Sequence, residues 1–403
     1  MISMDYYLII IVLAIFVILS YLYTIISYHH KIPSVLLLIL TGIITKIFLQ
    51  FFGISFTPSQ IYLNIFGTIG LILIVLEGSI DLSLDKNSLP TIFRSLTVAF
   101  ILLCCSSFLI AFIISHLLSV SFISAFLYAI PLSVISSAIV IPGVLNIDKH
   151  KKEFMICESI FSDIFGIMLF NFTIMFSNNE PHFVIHVFFE SFATIIISFI
   201  ISFLLVLSLL KIKSTVKLFP IIAVLVLAYA LGKYIHLSTL LLIFVFGLTL
   251  RNIFNFTKHE WRDKLNIDNE SYNKIFYEFK LLIHESSFII RTFFFIIFGY
   301  MFMFQNLFNI NVLIIGFIII FITYALRYIN LKIISEKNLL PELLIAPRGL
   351  ITILLYYSIP TKFNIGHYGE GIILLVVIVT SLLMMFGLFF TKNKEIEVIE
   401  NTY

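Results

Sequence analysis

The stretch CESIFSDIFGIMLF (157–170) sets two carboxylates, Glu158 and Asp163, and two hydroxyls, Ser159 and Ser162, into an otherwise apolar run. On a helix, Ser159 and Asp163 stand four residues apart and share a face, and Glu158 and Ser162 share the neighbouring face by the same spacing. These are hard oxygen donors, suited to a proton or a small alkali cation and poor for a soft metal. Two arginines also fall inside apolar runs, Arg291 in FIIRTFFFIIFGY and Arg348 in APRGLIT, and Glu77 closes the run LILIVLEG. An arginine stays charged and needs a carboxylate or carbonyl nearby. Asp163 is the expected partner of Arg291, with Glu77 the alternative, and Arg348 is the expected partner of Glu158. For Glu77 two readings stand: lining the inner approach to a site, or reaching back to the interface.

The rest of the chain says what must hold these groups. Of 403 residues, 61% are hydrophobic and 12% charged, with a mean hydropathy of +1.12. A soluble domain is nearer half apolar and a quarter charged. The apolar residues come in long unbroken runs, which excludes soluble enzymes, disordered chains, coiled coils and an alternating membrane β-barrel. What remains is an all-α polytopic membrane protein, because only helices and closed barrels satisfy their backbone in lipid. A net charge of +3 gives no reason to expect a nucleic-acid partner. Cys104, Cys105 and Cys157 lie in apolar runs and form no disulfide or metal-binding pattern. No cofactor is expected. Neither an H-E-x-x-H pair nor a G-x-S-x-G elbow is present, which argues against an intramembrane enzyme.

At about 20 residues per crossing, the runs predict thirteen spans: 7–28, 33–53, 59–82, 93–118, 122–145, 153–176, 184–211, 217–235, 238–254, 281–304, 310–333, 339–360 and 369–391. With the N-terminus outside, twenty of the 25 lysines and arginines fall on the inner side and three on the outer, which sets the orientation and puts the C-terminus in the cytoplasm. Arg327 is counted among the inner-face cations. Entering from the inner side near Glu153, the sixth span carries Asp163 ten residues later, about 15 Å deep. A charge there costs several kcal/mol unless it is paired or lines a wet cavity, so it marks a candidate ion or proton pathway. The loop near 255–280 reads either as an amphipathic helix on the inner face or as a plain connector.

The fifth span reads PLSVISSAIVIPG (131–143) and the twelfth PELLIAPRGLIT (341–352). Each has proline and small or polar residues in its middle, and each is fifth in a set of six. Interrupted spans at matching places in two halves point to a transporter site between inverted repeats. The predicted organisation is a first six-helix repeat (1–176), a linker helix (184–211), a second six-helix repeat (217–391) and a short cytoplasmic tail (392–403), with discontinuous spans 5 and 12 crossing.

Taken together, KIPSVLLLILTGII (31–44), LILIVLEGSIDLSL (71–84), CESIFSDIFGIMLF (157–170), SSFIIRTFFFIIFG (286–299) and APRGLITILL (346–355) resemble the monovalent cation:proton antiporters, in particular the NhaP-type sodium:proton antiporters. The resemblance covers nearly the whole chain. It implies a thirteen-helix fold, a homodimer in the cell membrane, and exchange of Na⁺ or K⁺ for H⁺ at Asp163. Ser159 and the backbone or hydroxyls around Ser136 and Ser137 would complete the cation shell, to which the strip on the sixth span adds Ser162 and the third span adds Glu77 on the approach. Arg291 would be the core basic residue of the tenth helix, and Glu158 and Arg348 would form a structural ion pair. Two positions depart from the family pattern: Ser162 stands where asparagine is usual, and Ser136-Ser137-Ala138 replaces Thr-Asp-Pro. The Ser-Ser pattern is similar to the potassium-efflux branch of the superfamily. One shared acid implies one cation per proton and electroneutral exchange. The competing readings are a sodium-coupled solute symporter of similar fold, which would need a larger polar cavity, and a channel, which would show passive flux without protons.

Overall fold

The computed structural model describes residues 6–53, 59–84, 89–144, 147–178, 196–208, 218–234, 239–253, 269–302, 307, 309–334, 339–365 and 368–389. The predicted tail, the start of the seventh span and the loop 254–268 lie outside them. Among the described residues the chain is all helical, apart from connecting turns and extended segments. In chain order the helices are α1 (Tyr6–His30), α2 (Ser34–Phe51), α3 (Gln60–Asp81), α4 (Leu89–Leu118), α5 (Phe122–Ser133), α6 (Ser137–Gly143) and α7 (Lys149–Ser177). Then come α8 (Ile196–Ser208), α9 (Leu218–Tyr234), α10 (Thr239–Arg251), α11 (Asn269–Met301), α12 (Ile310–Ile334), α13 (Leu350–Tyr357) and α14 (Tyr368–Phe389). All thirteen predicted spans carry helix, with α5 and α6 sharing the fifth and α13 forming the second half of the twelfth. The chain is a multi-pass membrane protein.

Caps set several of these boundaries. Ser121 Oγ accepts from the Ser124 amide at 3.2 Å to start α5. Asp148 Oδ1 accepts from the His150 amide at 3.1 Å to start α7. Each takes up an amide that the first helical turn leaves without a partner.

The helices fall into those that line the interior and those that face lipid. α1 buries little of itself and turns Ile10, Ile11, Ile15 and Ile18 outward. α3 is the opposite: from Gly70 to Ile80 every residue is buried, because α10, α11, α13, α6 and α7 all pack on it. α7 is likewise enclosed from Phe154 to Ile164 by α4, α5 and α6. α2 and α11 approach closely: a Cβ on Gly42 would strike the Ile296 carbonyl and one on Gly299 the Ile39 carbonyl. Where hydrophobicity cannot drive association, such backbone-to-backbone contact between small residues does.

Candidate ion site at the crossing of two broken helices

α5 ends at Ser133, and the chain runs extended through Val134 (φ −70°, ψ 133°) and Ser136 (φ −82°, ψ 114°) before α6 begins. The twelfth span makes one turn near Pro341, where the Leu344 and Ile345 amides bond the Pro341 carbonyl. It then runs without helix to Gly349, the N-cap of α13. The two unwound segments cross and bond each other, the Ser136 amide donating to the Pro347 carbonyl at 2.9 Å. Gly349 allows this contact, since a Cβ there would strike Ser136 Oγ and the Ile139 side chain.

The first break sits a few residues away from the prolines that signal it in sequence, whereas Pro347 lies within the second. Pro131 lies inside α5 and Pro142 inside α6. Backbone groups freed in an apolar interior need partners, and the unwinding occurs where partners wait. The Arg348 guanidinium donates to the Leu132 carbonyl (2.9 Å), the Ser133 carbonyl (3.2 Å) and the Ala346 carbonyl (2.5 Å). The Ile135 amide donates to Ser162 Oγ at 2.9 Å. Asp163 Oδ2 accepts from the Ser137 amide (3.3 Å) and the Ser137 hydroxyl (2.5 Å). The charges match the helix ends they face: the guanidinium caps the carbonyl end of α5, and the carboxylate meets the amide end of α6.

Among the described residues, three oxygens in this region have no hydrogen-bond partner: Asp163 Oδ1, Ser136 Oγ and Thr352 Oγ1. Their residues are 0%, 1% and 0% exposed.

The structure reassigns the expected ion pairs. Glu158 is bound by Arg327, not Arg348. Arg327 Nη1 and Nη2 donate to the two carboxylate oxygens at 2.6 and 2.9 Å. The same guanidinium donates to the Glu342 carbonyl (2.9 and 2.7 Å) and the Ile345 carbonyl (3.2 Å). Arg327 thus ties α7 to the unwound half of the twelfth span. It is 0% exposed, not an inner-face cation. A planar five-donor fork can serve a carboxylate and two carbonyls together. Arg348, threaded through the crossing, spends its donors on carbonyls.

Arg291 likewise lies by the alternative partner, its Nη2 being 3.7 Å from Glu77 Oε2, and Asp163 takes no bond from it. Glu77 is 4% exposed and its Oε1 is 3.0 Å from His284 Nδ1, so it does not reach back to the interface. His284, Ser287 and Arg291 repeat at three and four residues on the α11 face that meets α3. Lys280, one turn before His284 on α11, pairs with Asp81 at 2.5 Å.

Ser159 donates its hydroxyl proton to the Ile156 carbonyl at 3.0 Å, which leaves its oxygen lone pairs available. Ser162 is held by the Ile135 amide. The structure brings Asp163, Ser136 and Ser137 together at the crossing and sets Glu77 and Arg291 in a separate cluster between α3 and α11. By sequence Arg327 falls on the inner face and His284 takes a solvated role near the inner end of its span, both of which the structure corrects, and Thr352 is not singled out. Arg327 lies inside the predicted span 310–333, and that depth was the available signal. His284 shares the Arg291 face. Thr352 closes the quoted run 341–352 but looks like any buried threonine.

The fold is similar to that of solved structures. "Structure of the sodium proton antiporter MjNhaP1 from Methanocaldococcus jannaschii at pH 8" matches with a TM-score of 0.71 and 22% identity, covering 94% of this chain and 96% of that one. An electron-microscopy structure of the same antiporter matches at 0.71 and 22%, covering 95% of each chain. No curated protein sequence matches at a significant level. Residues 11–392 match the family described as "Sodium/hydrogen exchanger, transmembrane", and the chain belongs to that family.

Proposed function

We propose that this protein exchanges a monovalent cation, Na⁺ or K⁺, for protons by competition at the Asp163 carboxyl. The observation that carries the reading is the half-satisfied state of that group. Oδ2 is bonded twice by Ser137, while Oδ1, fully buried, has no protein partner. A proton on the carboxyl makes it neutral; without the proton its charge calls for a cation beside it. One oxygen site cannot serve both at once, so binding of either expels the other. If the crossing changes its access only when the carboxyl is neutralised by one or the other, the result is coupled exchange.

Hydroxyls and backbone oxygens around a single acid fit an alkali cation. A site with one titrating acid takes one cation per proton, so exchange is electroneutral. Membership of the sodium/hydrogen exchanger family supports this reading over a solute symporter. The charge asymmetry of the loops supports an outer N-terminus and a cytoplasmic C-terminus in a cell membrane. A homodimer and the two-repeat organisation follow from the family resemblance.

The test is dye-reported proton movement in everted vesicles with Na⁺, K⁺ and Li⁺ added in turn. Wild-type protein releases protons on cation addition, and Asp163→Asn, which keeps shape and Ser137 contacts, releases none. Full exchange by the Asn variant sinks the reading.

A further inference from the structure

We infer that the Thr352 hydroxyl is a ligand of the transported cation and sets how strongly the site holds one. The inference rests on the exchange reading above and names a residue from the second broken span. A threonine inside a helix ordinarily donates to the carbonyl four residues earlier. Thr173, Thr292, Thr323 and Thr380 each do so in this chain, at 2.7–2.8 Å. Thr352 does not. The residue four places before it is Arg348, which precedes the N-cap Gly349 and is not part of the helix. Residue 352 thus lacks the helical carbonyl four places back that usually takes a threonine's proton, and its buried hydroxyl has no other partner, which is costly to keep.

Its direction follows from its neighbours on α13. Leu350 and Leu354 lie against Gly70 and Gly67 of α3. Thr352 is about 200° around the helix from Leu350, on the opposite side. Gly349, three residues before Thr352, faces Ser136 Oγ. Tyr356, four residues after, meets Tyr128 of α5 edge to face, with ring centroids 5.8 Å apart. Residues at these spacings share a face, so Thr352 points to the crossing. The crossing also holds two other oxygens without a partner: Ser136 Oγ, beside Gly349, and Asp163 Oδ1, on the carboxylate bonded by Ser137. One carboxylate oxygen and two neutral hydroxyls, one from each broken span, make an oxygen set for a hard monovalent cation. Because Thr352 stands on α13, it lets the second broken span sense whether the ion is bound.

The test measures cation-dependent proton release in everted vesicles for Thr352→Val, Thr352→Ser and Asp163→Asn, alongside stabilisation of the detergent-solubilised proteins by added Na⁺ or K⁺. Thr352→Val keeps the shape and removes the hydroxyl. It raises the KM for Na⁺ and K⁺ about tenfold, equivalent to about 1.4 kcal/mol. Its maximal rate stays and its stabilisation by the ions weakens, while Thr352→Ser restores both. If the valine variant fails to insert, Thr352→Ala carries the same comparison. Unchanged KM for Na⁺, K⁺ and Li⁺ in the hydroxyl-free variant, with Asp163→Asn inactive, overturns this inference and leaves the exchange reading standing. Active exchange by Asp163→Asn overturns both.

Discussion

Glu158 and Asp163 lie five residues apart on α7, both withdrawn from water and both near a broken helix, yet their surroundings differ. Glu158 is enclosed by a guanidinium that covers both its oxygens. Asp163 has one oxygen held by Ser137 and the other with no partner. A buried charge is normally paired, and Glu158 shows that this protein can supply a full pair on the same helix. The exchange proposed above uses the open oxygen of Asp163, while the fully bonded carboxylate of Glu158 acts as a fastening. The comparison predicts two classes of variant: loss of transport with the fold intact at Asp163, and loss of the fold's stability at Glu158.

The largest effect belongs to Asp163→Asn. Exchange falls to background in vesicles while the purified protein unfolds at nearly the wild-type temperature, because the Ser137 amide and hydroxyl still find an acceptor. A variant that both transports and folds normally would erase the distinction between the two carboxylates.

At Glu158 the order reverses. Arg327→Met leaves a buried carboxylate without its cation, and the Glu342 and Ile345 carbonyls lose their donor. Breaking one side of a buried pair costs about 3–5 kcal/mol, so a large drop in unfolding temperature is expected. Replacing both partners together, Glu158→Leu with Arg327→Met, recovers part of the loss, because no charge is then stranded. Arg348→Met serves as the control on the assignment: adding Glu158→Leu to it gives no recovery, since the two residues share no bond.

How much of this could be read from the chain depends on what each signal reports. Long apolar runs fix the spans, because burial in lipid demands length, and all thirteen carry helix. The two interrupted spans were visible through proline and small residues, though in the fifth span the unwinding is displaced to where Ser162, Asp163 and Arg348 offer hydrogen bonds. Partner choice was the illegible part. Asp163 and Arg291 looked matched by depth, and Glu158 and Arg348 by motif, yet pairing is set by helix rotation and crossing, which residue spacing along one helix does not encode. Arg327 was misplaced because closeness to a span end suggests the interface, whereas its face of α12 turns inward.

The crossing itself can be tested at Gly349. A Cβ at that position would strike Ser136 Oγ and Ile139, so Gly349→Ala must push the two broken segments apart. Overpacking of this kind costs about 1–3 kcal/mol. It also moves Ser136 relative to Asp163, so cation KM rises along with the stability loss. A purely structural contact would lower the unfolding temperature and leave KM alone.

The smallest effects come from the two serines that flank the carboxylates on α7, and they sharpen the comparison most finely. Ser162 accepts the Ile135 amide, so Ser162→Ala strands a buried donor in the break and costs about 1–3 kcal/mol. Ser159 donates only to the Ile156 carbonyl of its own helix, which already has its place in the helical ladder, so Ser159→Ala costs little stability. If the free lone pairs of Ser159 belong to the cation shell, the same change raises cation KM several-fold at unchanged unfolding temperature. Measured side by side, the pair separates the oxygen that holds the break open from the oxygen that faces the ion. A Ser159→Ala protein with wild-type KM confines the shell to the crossing segments, and leaves α7 contributing Asp163 alone.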